Sequence, residues 1–226
     1  SGLVGSEMCI RDRCLPVQLI IKKLFIIILF YVSCIVNLNS SETVIDDFGI
    51  ITIMYHRFEE NKYPSTNIRM NDFIEHLEMI KKNNIKFINP INFEKELNNN
   101  KKQRKLLLTI DDGYRSFYDN AWPVLKKSKI PFILFVSTRE VGKIGYMDWD
   151  EIREIEKYDF VEIGNHSHSH EYLVDESPKV IKDDIIKSIK IFEEKLGKNS
   201  EFFSYPFGEY SLEFKNIIKN FLYHIG

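Results

Sequence analysis

Short apolar runs alternate along the chain with segments whose apolar residues recur every three or four positions. The runs predict β-strands and the periodic segments predict α-helices. The predicted strands lie near residues 50–54, 86–88, 106–110, 132–136, 161–163 and 202–205. The predicted helices cover residues 71–82, 92–98, 116–127, 149–157, 178–196 and 211–221. Because strands and helices alternate, we expect an α/β fold with a mostly parallel sheet.

Residues at several predicted helix ends support these boundaries. Asn71 and Asp148 are of the residue types that cap helix N-termini, and Pro178 suits a first helical turn. Gly197 can adopt the left-handed conformation that often ends a helix.

Two polar clusters follow predicted strands. Asp111-Asp112-Gly113 comes directly after residues 106–110, and residues 165–170 (Asn-His-Ser-His-Ser-His) come after residues 161–164. Catalytic groups of α/β folds gather where strands end. An Asp-Asp-Gly sequence alone is typical of a turn, but together with the histidine cluster it indicates a metal site.

The residue types fit the ligands of a divalent metal that activates water. Such a metal commonly uses three protein ligands and one open position. His166 and His170 are four residues apart, so on one helical turn their imidazoles would face the same way. Successive side chains at a strand end point in different directions, so one of Asp111 and Asp112 can bind metal while the other meets substrate or water.

These residues resemble the polysaccharide deacetylase family, the NodB-homology or carbohydrate esterase family 4 group. Residues 108–113 (Leu-Thr-Ile-Asp-Asp-Gly) resemble its first signature, and His166-Ser167-x-x-His170 resembles its second. The segments 54–58, 63–67, 147–150 and 203–210 fit one branch of the family. The resemblance covers residues 50–226, and several motifs in the right order make it more specific than any one of them.

The resemblance implies a distorted (β/α) barrel and a metal-dependent removal of N-acetyl groups from an N-acetylglucosamine-containing polysaccharide. Carried over to this sequence, Asp111 is the general base, and Asp112, His166 and His170 hold a divalent metal, with zinc preferred. Three further residues are expected to bind substrate or stabilise an oxyanion: Phe207, Tyr205 and His56. Phe207 would do so through its backbone N–H.

The sequence departs from the family pattern in two ways. Ser204 stands where most relatives have an arginine that steadies the base. Either Arg115 or Arg69 replaces it, or this branch of the family does without it. The family's fourth and fifth motifs, the latter with the histidine that acts as general acid, have no counterpart before residue 226. His224 lies too close to the third motif to replace that histidine. We therefore expect a C-terminally incomplete barrel.

The N-terminal segment is expected to be separate from the domain. Residues 1–13 have neither an amphipathic period nor a recognisable turn pattern and are interpreted as a non-native leader. Residues 14–41 contain Lys22-Lys23, the apolar stretch 24–38 and a polar exit, which favour a signal peptide or an N-terminal membrane anchor. The domain then spans residues 42–226, and we expect export to the periplasm, the membrane or the medium. Membrane contact is expected only through this N-terminal segment.

Composition is that of an ordinary folded enzyme. With 44% hydrophobic residues, a net charge of −2 and a pI near 6.3, the chain gives no electrostatic reason to expect a nucleic-acid partner. All three cysteines, Cys9, Cys14 and Cys34, precede the domain, which excludes a thiol nucleophile within it.

The sequence is compatible with other functions as well. A 2-His-1-carboxylate Fe(II) oxygenase uses the same ligand set, although the adjacent Asp111 argues against it. A noncatalytic carbohydrate-binding protein is suggested by Ser204 and the missing acid. A zinc peptidase is disfavoured, because Ser167 stands where its glutamate base would be. The alternative role for His56 is that of a hydrogen-bonded structural histidine. His168 is expected at the surface or behind the metal ligands.

Overall fold

A computed structural model describes residues 49–99 and 102–222. The chain divides into two units, Ser1–Ile45 and Asp46–Gly226, and all described residues belong to the second unit. The predicted leader and apolar segment, residues 1–41, therefore lie outside the described residues.

The described strands form one main parallel sheet and a small accessory pair. The strands are β1 (Ile50–Tyr55), β2 (Arg57–Phe58), β3 (Asn67–Ile68), β4 (Lys86–Phe87), β5 (Lys105–Ile110), β6 (Phe132–Val136) and β7 (Val161–Asn165). The strand order is β1-β5-β6-β7, and β4 also pairs with β5. The predicted parallel α/β architecture is therefore confirmed.

The register of β5 shows how the sheet is built. One edge of β5 pairs with β1 along its length, from Ile50 opposite Lys105 to Tyr55 opposite Ile110. The other edge pairs with β4 near its start and with β6 near its end. Because all these pairings are parallel, the carboxyl ends of β1, β5, β6 and β7 meet at the same edge of the sheet.

The described helices are close to those predicted. They are α1 (Met70–Lys82), α2 (Phe93–Leu97), α3 (Trp122–Ser128), α4 (Trp149–Glu156), α5 (Pro178–Leu196) and α6 (Leu212–Leu222). α1 presents Phe73, Leu77 and Ile80 to the core, the spacing of a helix with one buried face.

The helix ends show why these boundaries hold. Asp148 caps α4 through a reciprocal hydrogen-bond pair with Glu151, and Gly197 ends α5 with a φ of 74°, as predicted. The prediction for Asn71 was wrong, because α1 begins one residue earlier and Arg69 occupies the capping position.

Two predicted elements differ in form. A wide π-type turn over residues 117–121 precedes α3, so the helix predicted over 116–127 is not one regular α-helix. Pro123, near the start of α3, has no N–H for the regular helical bond, which is a physical reason for the break. The strand predicted over residues 202–205 is reduced to a parallel bridge between Phe203 and Asn165.

Both faces of the central strand are buried. Leu106, Leu108 and Ile110 belong to the main hydrophobic cluster, whereas Leu107 packs with Ile133 in a second, smaller cluster. Such burial on both faces is typical of parallel sheets. It explains why residues 106–110 read as an unbroken apolar run rather than an alternating one.

None of the helices in the described residues combines the length and apolar character needed to cross a bilayer.

Candidate active site

The candidate site lies at the carboxyl edge of the main sheet. Asp111 follows β5 directly, and its N–H donates to the carbonyl of Tyr55 at the end of β1 (2.9 Å). His166 follows β7, and its N–H donates to the carbonyl of Val136 at the end of β6 (3.0 Å). Backbone hydrogen bonds that continue the sheet therefore fix the starting points of both polar clusters.

Three of the predicted residues converge as a group that could hold a metal ion, called the metal-binding group below. Asp112 Oδ1 lies 2.9 Å from His170 Nε2 and 3.4 Å from His166 Nε2. One candidate ligand atom from each of the three residues lies within 4.8 Å of the other two. Two imidazole nitrogens and one carboxylate oxygen are a ligand set that Zn²⁺ commonly takes, with a further position left for water or substrate.

The buried carboxylate oxygen tests whether this group fits a cation. Asp112 Oδ1 is buried and has no hydrogen-bond donor among the described residues, although both imidazoles approach it. A buried acceptor without a donor is costly unless another positive group satisfies it. The residues therefore fit a divalent cation held between Asp112, His166 and His170.

The orientation of His166 also suits a metal ligand. Its Nδ1 lies 2.8 Å from the carbonyl oxygen of Ser204, which can only accept, so Nδ1 carries the proton. The lone pair of Nε2 is then directed toward Asp112 and His170. Hydrogen bonding of the second nitrogen to a carbonyl is a usual way of fixing a histidine ligand.

The charges of this group shift its ionisation. Burial by itself raises the pKa of Asp112, but the adjacent imidazoles of His166 and His170 hold that pKa well below its usual range. Burial by itself lowers the pKa of His166, but the contact with Asp112 and the charge of Asp111 outweigh it and raise that pKa. Asp112 thus stays ionised, and its charge favours the protonated form of His166 when no cation is bound.

The histidine cluster does not form the helical turn that its spacing suggested. Ser167 and His170 have φ values of 68° and 52°, in the left-handed region, and no helix covers residues 166–170. Asp112 and Phe207 also have positive φ values, of 73° and 59°. Such conformations are uncommon for non-glycine residues and cluster at functional sites. The imidazoles converge because of this irregular loop.

Asp111 lies beside the metal-binding group and is 3% exposed. Its Oδ2 accepts a hydrogen bond from Ser204 Oγ (3.1 Å), while its buried Oδ1 has no donor among the described residues. Burial raises the pKa of Asp111, against the opposing charges of His166 and His56. An oxygen without a donor is free to accept a proton from water.

Neither arginine that was considered as a replacement at the base lies there. Arg69 contacts Glu59 and Asn61, and Arg115 pairs with Glu151. These contacts argue against both candidates and favour the alternative that this branch does without the arginine. Ser204 itself supplies the side-chain hydrogen bond to Asp111.

The remaining predicted site residues occupy different surroundings. His56 follows β1 and lies near enough for its charge to affect Asp111. Phe207 is 60% exposed, and its ring centroid is 4.9 Å from that of His170, so it borders the metal-binding group. Tyr205 instead packs edge-on against Phe203 and Phe214 in a satellite hydrophobic cluster. Contact of these residues with substrate stays a prediction.

The sequence did not predict the cluster of side chains that forms around Arg57. Its guanidinium carbon lies 3.5 Å from the ring centroid of Tyr114 and 4.3 Å from that of Tyr63, and Nη1 donates to Glu60 (2.8 Å). Tyr114 follows the Asp-Asp-Gly turn, so this cluster connects the segment after His56 to the turn that carries both aspartates. The only sequence signal was that Arg57 and Tyr63 lie within segments resembling family motifs.

The chain is similar to known proteins over most of the described unit. Residues 98–226, more than half of the chain, match the family model described as polysaccharide deacetylase. The protein YxkH of Bacillus subtilis (strain 168) is 24% identical over 176 residues, which cover 77% of this chain and 62% of YxkH. A poly-beta-1,6-N-acetyl-D-glucosamine N-deacetylase of Staphylococcus aureus (strain MSSA476) is 29% identical over 119 residues, 47% of this chain and 41% of that protein. The chain thus spans less than two thirds of the length of either relative.

Two solved structures share the fold. IcaB from Ammonifex degensii superposes with a TM-score of 0.69 at 24% identity, covering 76% of this chain and 80% of that one. The Streptococcus pyogenes deacetylase PplD, solved with acetate, gives 0.69 at 24% identity, covering 78% and 82%. These similarities confirm the predicted fold class, the distorted (β/α) barrel of these proteins.

Proposed function

Because the chain belongs to the polysaccharide deacetylase family, we propose that it is a metal-dependent hydrolase that removes N-acetyl groups from an N-acetylglucosamine-containing polysaccharide. The observation that carries this proposal is the arrangement of two buried aspartates. Asp112 joins His166 and His170 in a metal-binding group, and Asp111 beside it has a free carboxylate oxygen. A hydrolase needs this division between a metal ligand and a base.

The chain's own residues suit the steps of amide hydrolysis. Asp112, His166 and His170 would hold a divalent cation, with Zn²⁺ preferred, which would polarise the acetamide carbonyl and the attacking water. Asp111 accepts a proton from that water, while Ser204 Oγ holds the other oxygen of its carboxylate. The backbone N–H of Phe207 is the proposed donor to the carbonyl oxygen as that oxygen becomes negative.

The departing amine needs a proton, and we assign this role to His56. Among the described histidines, His166 and His170 belong to the metal-binding group. His168 Nδ1 contacts Thr138 Oγ1 (2.9 Å), and His76 Nδ1 contacts the hydroxyl of Tyr55 (2.8 Å). His56 remains at the end of β1, near Asp111. This assignment supplies a general acid from within the described residues.

Poly-N-acetylglucosamine is the favoured polymer. The relative from Staphylococcus aureus is named for this substrate, and its similarity covers 47% of this chain. Chitin-like oligomers and peptidoglycan contain the same acetamide group and serve as competing substrates in the test below.

The experiment measures acetate release and zinc binding on the same preparations. We expect Asp112→Ala to lose zinc affinity, because one of three ligands is removed, and Asp111→Asn to keep zinc affinity but lose turnover by about 10²–10⁴-fold, the usual contribution of a general base. Asp150→Asn is the control, because that carboxylate is 89% exposed and contacts Arg153 on the surface of α4.

Two results would contradict the proposal. Equal zinc affinity in the wild-type chain and Asp112→Ala would remove the metal assignment. No acetate from any of the three polymers with the zinc-loaded wild-type chain would remove the proposed activity.

We further propose that residues 14–41 direct export, as a cleaved signal peptide or a membrane anchor, and that residues 1–13 are not native. Export suits an enzyme whose substrate lies in the cell envelope. If the segment is a cleaved signal peptide, N-terminal sequencing of the exported protein is expected to start after residue 41. If it is an anchor, the protein is expected in the membrane fraction with the segment intact. Recovery of the whole chain in the cytosol would contradict this.

A further inference from the structure

One carboxylate accepts two of the hydrogen bonds that hold the loop between His166 and His170, alongside the bonds that the N–H groups of Thr138 and Arg139 donate to the carbonyls of Ser167 and His168. The N–H of His168 donates to Asp184 Oδ1 (2.7 Å), and the N–H of Ser169 donates to Asp184 Oδ2 (3.0 Å). Each oxygen of Asp184 thus accepts one of two consecutive N–H groups. Hydrogen bonds to an ionised acceptor are shorter and stronger than neutral ones.

Asp184 belongs to α5 and is placed by the packing of that helix. Ile181 and Ile185, on either side of it in sequence, are 1% and 0% exposed. One turn later, Ser188 is buried and its Oγ accepts from Asn165 Nδ2 (2.8 Å). Residues four apart lie on the same helix face, so Asp184 and Ser188 together face the end of β7 and the loop.

The opposite end of the loop is held through Asn165. Asn165 Oδ1 accepts from the N–H of Ser167 (2.9 Å), which places the first left-handed residue of the loop. A positive φ is uncommon for serine and histidine, so the backbone at Ser167 and His170 is disfavoured unless the surroundings impose it. The contacts from α5 and Asn165 impose this conformation.

We propose that Asp184 is a positioning residue that sets the affinity of the site for its cation. It contacts no ligand side chain and acts through the loop backbone, by holding His166 and His170 at the separation that the cation requires. This inference rests on the metal site of the proposed function but not on the reaction or the substrate.

Zinc affinity, measured by calorimetric titration of the full chain, tests this role. Asp184→Ala is expected to weaken zinc binding about 10–100-fold, as removal of outer-sphere partners commonly does. Asp184→Asn is expected to be intermediate, because the amide keeps one acceptor oxygen but turns an NH₂ donor toward the other backbone N–H.

Asp183→Asn is the matched control. Asp183 is the preceding residue of the same helix, its side chain is 61% exposed, and it pairs with Lys179 (2.7 Å) rather than with the loop. Its zinc affinity is expected to equal that of the wild-type chain. The Co²⁺ absorption spectrum adds a readout of ligand geometry, which we expect to change in the Asp184 variants alone.

The outcomes separate this inference from the proposed function. Thermal unfolding in chelator identifies which variants are folded. If Asp184→Ala is not folded, an approximately tenfold loss of zinc affinity in folded Asp184→Asn supports the inference. Wild-type zinc affinity and an unchanged Co²⁺ spectrum in a folded Asp184 variant would overturn the inference alone. Failure of the wild-type chain to bind zinc would overturn it together with the metal site, whereas zinc binding without acetate release would overturn only the proposed reaction.

Discussion

Ser204 shows how one residue can serve both parts of the site. Its carbonyl oxygen accepts from His166 Nδ1 (2.8 Å), and its hydroxyl donates to Asp111 Oδ2 (3.1 Å). It therefore orients a proposed metal ligand with its backbone and the proposed base with its side chain. The position that carries an arginine in most members of the family is occupied here by a shorter group that makes a direct hydrogen bond.

A single substitution tests the assignment of His56 as proton donor. His56→Gln is expected to lower kcat by about 10²–10⁴-fold, because the amide cannot protonate the departing amine. Zinc affinity is expected to stay unchanged, since His56 is not among the metal-binding group.

His76→Gln is the control for this substitution, because His76 contacts the hydroxyl of Tyr55 from helix α1 and is not among the residues whose charge affects Asp111. Acetate release by His56→Gln at the rate of His76→Gln would exclude His56 as the acid.

At the scale of elements, the pairing of β6 with β7 controls the position of His166. Gly164 lies opposite Phe135 in the register of these strands. A Cβ atom at residue 164 would lie 2.2 Å from Phe135 Cδ1 and 3.0 Å from Ile133 Cγ2. The aromatic ring thus occupies the space that a side chain at 164 would need, two residues before the ligand.

Gly164→Ala is therefore expected to lower the free energy of unfolding by about 1–3 kcal/mol, the usual effect of overpacking a core. The ring of Phe135 would have to shift, and its centroid lies 6.4 Å from that of His166. Zinc affinity is expected to fall as well. Denaturant unfolding and zinc titration check both effects.

The second substitution Phe135→Leu provides the control, since a smaller side chain makes room for the added methyl group. We expect the double variant to recover part of the zinc affinity lost in Gly164→Ala. A Gly164→Ala protein as stable as the wild-type chain would show that the ring moves at no cost.

At the scale of the molecule, the metal-binding group joins elements that are distant in sequence. Asp112 comes from the end of β5, and His166 and His170 come from the end of β7, with β6 between these strands. A cation bound to all three would link the carboxyl ends of β5 and β7, which lie at the same edge of the sheet. Binding to the folded state alone stabilises that state by mass action.

Zinc is accordingly expected to raise the melting temperature of the wild-type chain, with about 2.7 kcal/mol of stabilisation at a free concentration 100 times Kd. Chelator should reverse the effect and increase hydrogen exchange in residues 166–170. Asp112→Ala is expected to show neither response, and Asp150→Asn to show both. The same melting temperature with zinc and with chelator would argue against a metal that bridges these strands.

Much of the fold followed from local patterns. The strand over residues 132–136 and the helix over 178–196 were predicted with the observed bounds, because an apolar run or a 3.6-residue period is written directly in the sequence. The β2–β3 pair was not predicted, since two-residue strands leave no detectable period. The form of residues 117–121 depends on Pro123 and on packing, which a periodic pattern does not include.

The sequence by itself determined which residue types can perform the chemistry: two adjacent carboxylates after one strand and a spaced histidine pair after another. Only the tertiary structure decided how they meet. The histidines converge through left-handed backbone at Ser167 and His170 rather than a helical turn, and Ser204 rather than an arginine contacts Asp111. The physical reason is that side-chain direction in an irregular loop depends on hydrogen bonds from distant elements, here from Asn165 and α5, and spacing along the chain carries no information about those contacts.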